Sequence, residues 1–282
     1  MRCPALFPLL LLACTAAAAA RADLPTLPER LSQTGLAGAG VMAFEPRFPL
    51  WSDGAAKRRW IALPPGTQVD ASRPDAWRFP AGTRFWKEFA IDGRPVETRM
   101  LELQGDGRWA AASYVWDGAD ALRAPAGGQR LTLPGGRRYD VPSAGDCAAC
   151  HVGARSPVLG FAALQLGPAV PALVRAGVLK GAPAAWATQP PDFPAASPAE
   201  RAARGYLHGN CGHCHFAGGV PVPLQLALDV GRSPAPVDGA LVLQRAGTRD
   251  PYQQMPPLGT REIDAQGLAV LARHFTPETS RP

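Results

Sequence analysis

The run Ser197-Pro198-Ala199-Glu200 leads through Tyr206, Leu207 and Asn210 into Cys211-Gly212-His213-Cys214-His215. Serine followed three places later by glutamate, with proline at the first helical position, predicts a capped helix that runs into the cysteine pair. Ala203, Tyr206, Leu207 and Asn210 share one face at helical spacing, so this helix lies against something apolar. Further on, Asp264 predicts a second cap, and Leu268, Leu271 and Phe275 form a stripe that Pro277 ends. Two helices bracketing a looped middle make residues 197–282 a small all-α unit.

The region upstream reads differently. Arg59 to Leu63, Thr83 to Phe89, Val96 to Leu103 and Trp109 to Trp116 are short apolar or alternating runs, each closed by a glycine turn such as Pro64-Pro65-Gly66 or Asp92-Gly93. This pattern predicts antiparallel strands, with residues 98–116 as a hairpin, in a β-rich, sandwich-like domain over residues 23–185. Residues 186–196 read as a linker. The expected fold class is therefore α+β.

The Cys-x-x-Cys-His pattern occurs twice, as Cys147-Ala148-Ala149-Cys150-His151 and as Cys211 to His215, and the two copies use every cysteine beyond residue 14. It is the attachment signature of c-type haem, in which two thiols form thioethers and the adjacent histidine takes the iron. The expectation is two covalent haems c with iron, held by Cys147, Cys150, Cys211 and Cys214 and ligated by His151 and His215. A dithiol or a four-thiolate zinc site would not need a histidine after both second cysteines. Four cysteines in so long an exported chain are too few for a disulfide scaffold. The copies start 64 residues apart with unlike flanks, so no duplicated module is inferred.

Methionines stand only at positions 1, 42, 100 and 255, and Met255 lies 40 residues after His215 in Met255-Pro256-Pro257. Prolines stiffen that loop, and a thioether suits haem iron and raises its potential, so Met255 is read as the distal ligand. His208 is read as a surface or packing residue, and His274 as a surface residue near a helix C-terminus.

Residues 197–275 resemble a class I cytochrome c domain: entry helix, Cys-x-x-Cys-His, long loop, Met-Pro-Pro segment and closing helix. The resemblance implies Cys211 and Cys214 as attachment points, His215 as proximal ligand and Met255 as distal ligand. His213 falls in the variable interior of the motif and inherits no role. The whole chain resembles a bacterial family of periplasmic dihaem c-type cytochromes. That likeness is carried by Phe48-Pro49-Leu50-Trp51-Ser52-Asp53-Gly54-Ala55-Ala56-Lys57-Arg58-Arg59, Phe79-Pro80-Ala81-Gly82-Thr83, Glu97-Thr98-Arg99, the two cysteine motifs and Met255-Pro256-Pro257. The middle portion also resembles β-type haem proteins with a lysine cross-linked to the haem. Lys87 is the one lysine of interest on that account, and a solvated strand lysine is the reading preferred for it.

Haem attachment requires export, and the N-terminus has the parts of a secretory signal over residues 1–22, from Met1-Arg2-Cys3 through an apolar run to Ala20-Arg21-Ala22. Leu11-Leu12-Ala13-Cys14 offers a competing lipoprotein cut that would leave lipid on Cys14. No other stretch approaches a membrane span. The net charge of +6 falls to +4 once Arg2 and Arg21 leave. The densest basic run, Lys57-Arg58-Arg59, is short and is read as a solvated face or a propionate partner, with no nucleic-acid patch. Glycine (30) and proline (31) mark a loop-rich but folded chain.

No methionine or histidine lies between His151 and His208. The first haem's sixth position is thus left to Met100, to His208, to another part of the fold, or open. With both irons six-coordinate, the reading is a periplasmic electron carrier serving a protein redox partner. An open first iron would instead make a redox enzyme or a small-ligand binder. No serine, aspartate or glutamate constellation indicates other catalysis.

Overall fold

The computed structural model describes residues 27–276. The signal segment, Cys14 and Pro277 lie outside the described residues.

The chain is α+β. Strands β1 (Val41–Ala43), β2 (Ala56–Ala62), β4 (Arg84–Ile91), β5 (Arg94–Leu103), β6 (Trp109–Asp117) and β7 (Asp120–Arg123) build one antiparallel sheet in the order β1-β2-β4-β5-β6-β7. The short strands β3 (Val69–Asp70) and β10 (Leu179–Lys180) pair in parallel, and β8 (Gln129–Thr132) pairs with β9 (Arg138–Val141). Helices are α1 (Ala144–His151), α2 (Ala163–Leu166), α3 (Val170–Arg175), α4 (Pro198–Asn210), α5 (Gly239–Ala246) and α6 (Ala265–Phe275).

The β4–β5 turn shows why these strands form a hairpin. Asp92 and Gly93 take φ of 49° and 75°, the left-handed pair whose twist matches the flanking strands. The sheet is not one half of a sandwich, because among the described residues the other two sheets have only two strands each. Its faces are covered by irregular chain and short helices instead. On one face Ile61, Phe85 and Trp77 pack with Val158, Phe161, Leu166 and Val170, with the Phe85 and Phe161 rings 5.4 Å apart, edge to face. On the other face Trp86, Met100 and Tyr114 pack with Leu27 and Leu31.

Helix α4 starts where the sequence indicates. Ser197 Oγ accepts from Glu200 N at 3.1 Å, while the Glu200 carboxylate takes Ala196 N instead of closing the box on Ser197. Asp264 caps α6 through Gly267 N at 2.8 Å. Between them stands α5, capped by Asp238 through Leu241 N at 3.0 Å, where only a loop was expected. Ala203 and Leu207 of α4, Leu271 of α6 and Leu226 form the buried core of this unit.

The helical unit is packed firmly onto the sheet unit. Residues 186–196, expected as a linker, bury Trp186 and Phe193, and Asp192 pairs with Arg47 at 3.1 Å and with Arg201 at 2.7 Å. The segment from Phe48 to Asp53 clasps both ends. Trp51 N donates to Asn210 Oδ1 at 2.7 Å, and the Asp53 carboxylate accepts from Arg261 N at 2.9 Å and Glu262 N at 3.0 Å.

Phe48 lies against α4 so closely that a β-carbon on Gly205 would stand 2.1 Å from its ring, and one on Gly209 would meet its carbonyl. Glycine costs a helix about 1 kcal/mol relative to alanine. Close approach therefore outweighs helix propensity here. Gly205→Ala is expected to destabilise the fold by about 1–2 kcal/mol net, since overpacking of this kind typically exceeds the propensity gain. Urea unfolding reads this directly, and a stabilised variant would show that Phe48 does not hold this position.

Candidate functional site

The two cysteine motifs, distant in sequence, are brought to one region. The first sits on α1, where Ser143 Oγ accepts from Asp146 N at 3.1 Å and Asp146 accepts Ser143 N at 2.9 Å, a reciprocal cap. Cys147 and Cys150, three apart, share a helix face. Cys147 lines a cavity of about 390 Å³ with Ala111, Ala112, Ser113, Pro125 and Ala144, a volume within the usual range for ligand sites. The small side chains leave room beside the thiol, and Ser113 Oγ is buried there without a partner among the described residues.

The second motif follows α4 as a series of turns, with Cys214 N donating to Cys211 O at 3.1 Å and His215 N to the same oxygen at 3.0 Å. Cys211 packs against the three-helix core. Met255 lies between α5 and α6, its N–H donating to Arg245 O at 2.9 Å, and its side chain is half-buried.

A lattice of hydrogen bonds ties the motifs together. His151 Nδ1 meets Pro157 O at 2.5 Å. Arg155 in the same loop pairs with Asp229 and, at 3.5 Å, with Asp75. Leu226 N and Ala227 N, just before that aspartate, donate to His215 O at 2.8 Å and 3.1 Å. Cys214 adds to the cost of ionising Cys150, and His213 is within electrostatic reach of His151 and Lys87.

All four thiols are free of disulfides. Burial pushes Cys211 up to about 12 and raises Cys147, Cys150 and Cys214 as well. Reactive dithiols have lowered values, so these are not poised for thiol–disulfide exchange. Among the described residues no three His, Cys, Asp or Glu side chains converge as a metal site, which is unlike a four-thiolate zinc cluster.

The residues fit c-type haem. Each motif pairs two free, half-buried thiols with an adjacent histidine. At His151 the carbonyl of Pro157 holds the proton on Nδ1 and leaves Nε2 with a lone pair, the arrangement that orients a metal-ligating histidine. His215 Nδ1 is buried without a partner among the described residues.

The structure corrects the reading of Lys87 and narrows three others. Lys87 is not a solvated strand lysine. Register places Arg59, Lys87, Arg99 and Ser113 side by side on the face that carries Phe85 and Phe89, next to Cys150 and His151. Desolvation first, then Arg59 and Arg99, push its pKa well below the ordinary lysine value. Lys57 and Arg59 are not a solvated face either. Lys57 Nζ donates to Leu50 O at 2.8 Å, and Arg59 is 7% exposed, while Arg58 points to the other face and pairs with Glu88.

Met100 cannot reach the first motif, because it is 1% exposed and packs with Trp86 and Tyr114 on the opposite face from its neighbour Arg99. His208 is a packing residue and not a surface one. Its ring stands edge-on to Phe48, and its Nδ1 accepts Leu228 N at 3.0 Å. Burial first, then Arg155, lower its pKa to about 4, so it is neutral, with its proton on Nε2.

One network was not foreseen. Glu97, fully buried, accepts two bonds from Arg99 at 2.9 Å and one from Tyr139 Oη at 2.7 Å. Tyr139 is on β9, the strand that leads into α1, so this network fixes where the first motif begins. The signal for it in the sequence was Glu97-Thr98-Arg99, whose ends share one strand face.

Among the described residues no helix is long and apolar enough to cross a membrane. Comparison of the chain with protein-family models, curated proteins and solved structures finds no match.

Proposed function

We propose that the chain is an exported dihaem c-type cytochrome that works in electron transfer with a protein redox partner. The observation that carries this reading is the meeting of two complete Cys-x-x-Cys-His motifs in one hydrogen-bonded region. Cys147 and Cys150 would attach one haem under His151. Cys211 and Cys214 would attach the other under His215, with Met255 as its distal ligand in a cytochrome c-like unit of α4, α5 and α6. Haem iron held there supplies one-electron exchange, at a potential set by its axial ligands and burial.

The chain's own residues do the rest. Pro157 O orients His151, Arg245 O anchors the Met255 backbone, and the buried Arg59 with the half-buried Lys57 favours negative charge, such as a propionate, beside the first motif. The one carboxylate lining the cavity at Cys147, Glu29, is held in an ion pair by Arg123, which supports a carrier more than a catalyst. A ligand-binding or enzymatic role would need an open first iron.

Anaerobic potentiometric titration tests the reading. Two separable one-electron steps are expected. Met255→Ala should lower the potential of one step and leave the other in place, because replacing a thioether ligand removes its stabilisation of ferrous iron. A protein whose visible spectrum does not respond to reduction would refute it.

A further inference from the structure

We propose that His213, inside the second cysteine motif, is the distal ligand of the haem on Cys147 and Cys150; the inference rests on the dihaem reading above. His151 needs a partner across the iron, and the other donors are accounted for. Met100 is on the far face of the sheet. His208 already uses its Nδ1 lone pair to accept Leu228 N, and its Nε2 carries the proton, so it has none left for a metal.

His213 is differently placed. Its Nδ1 is buried and has no hydrogen-bond partner among the described residues. A buried polar atom left unsatisfied is costly, and native structures seldom keep one without a reason. The imidazole opens on a cavity lined also by Arg155, Ser156 and Val158, residues of the segment that follows His151. Its electrostatic neighbours are His151, Lys87 and His215. Imidazole is a common ligand for haem iron, and either ring nitrogen can serve.

The hydrogen-bond lattice makes this approach a built feature. Arg155 fastens the loop after His151 to Leu228 and Asp229, and the adjoining Leu226 and Ala227 fasten the backbone of His215. His213 is thereby held against the first motif while His215 serves the second. One residue, Cys214, then separates the ligands of the two irons, giving a short covalent path between them.

The test is spectroscopic and needs no activity. Wild type and His213→Ala are exported from a host that matures c-type cytochromes, haem is counted, and spin state and carbon monoxide binding are read. Wild type should be low-spin at both haems and slow to bind carbon monoxide. His213→Ala should keep both haems, turn one high-spin, and bind carbon monoxide rapidly at that one when reduced. Added imidazole should restore its low-spin spectrum.

His213→Met, which keeps a ligand in place, should stay low-spin and raise the potential of one haem; it serves if the alanine variant fails to mature. Lys87→Ala should change neither spin state. The proposal is overturned if His213→Ala stays low-spin throughout, if Lys87→Ala makes the high-spin haem instead, or if wild type already binds carbon monoxide rapidly. Fewer than two haems on wild type would overturn the dihaem reading itself, and shows in the haem count before any spin state is read.

Discussion

Serine at both Cys147 and Cys150 is expected to remove one covalent haem per chain and leave the other in place. Each motif supplies its own pair of thiols, and a histidine alone holds haem only by its iron bond. The reciprocal pair, Cys211→Ser with Cys214→Ser, should leave the first haem. Its effect on stability should be larger, because Cys211 packs in the core of the three-helix unit whereas α1 buries no residue fully. Intact mass under denaturing conditions separates the products. If either double variant lost both haems while remaining folded, the motifs would not be independent attachment sites. If either kept both, the thiols would not be the attachment points.

Glu97→Ala should be the most damaging single substitution away from the cysteines. The Glu97 side chain is wholly buried, and its removal leaves the Arg99 guanidinium and the Tyr139 hydroxyl without their shared acceptor. Breaking a buried, hydrogen-bonded charge pair costs about 3–5 kcal/mol. Arg99 is 36% exposed, so water recovers part of that. The expected loss is about 1.5–3 kcal/mol, the range for hydrogen bonds to charged groups. Glu97→Gln, which keeps an acceptor, should lose less. Chemical denaturation followed by far-UV circular dichroism measures both, and an alanine variant within about 0.5 kcal/mol of wild type would place it among ordinary surface changes. Because Tyr139 leads into α1, the alanine variant should also mature its first haem poorly.

Much of the framework was legible along the chain because its signals are local. Glycine turns such as Asp92-Gly93 mark the hairpins, and Ser197 and Asp264 mark the helix starts within a residue. The surroundings of the site were less legible because they are tertiary. Nothing near Phe48 or Asp53 indicates that these residues hold α4 and the approach to α6, some 150 to 200 residues away. The α5 helix carries a weak stripe and an aspartate cap in a proline-rich stretch, and reads as loop.

Lys87 is an intermediate case. Phe85, Lys87 and Phe89 share one strand face, a local sign of an inward-facing lysine that the solvated reading overlooked. Its neighbours Arg59 and Arg99 come from other strands through register alone. His213 was passed over because position within the motif assigns it nothing. Only the fold places it beside the loop that follows His151.

The most direct test of two covalent haems is the reduced pyridine haemochrome of wild-type protein, exported from a host with the c-haem maturation system and referred to protein concentration. Two haems per chain, retained through acid–acetone extraction, is the expected result. A colourless protein from that host, or haem that extracts completely, would contradict it.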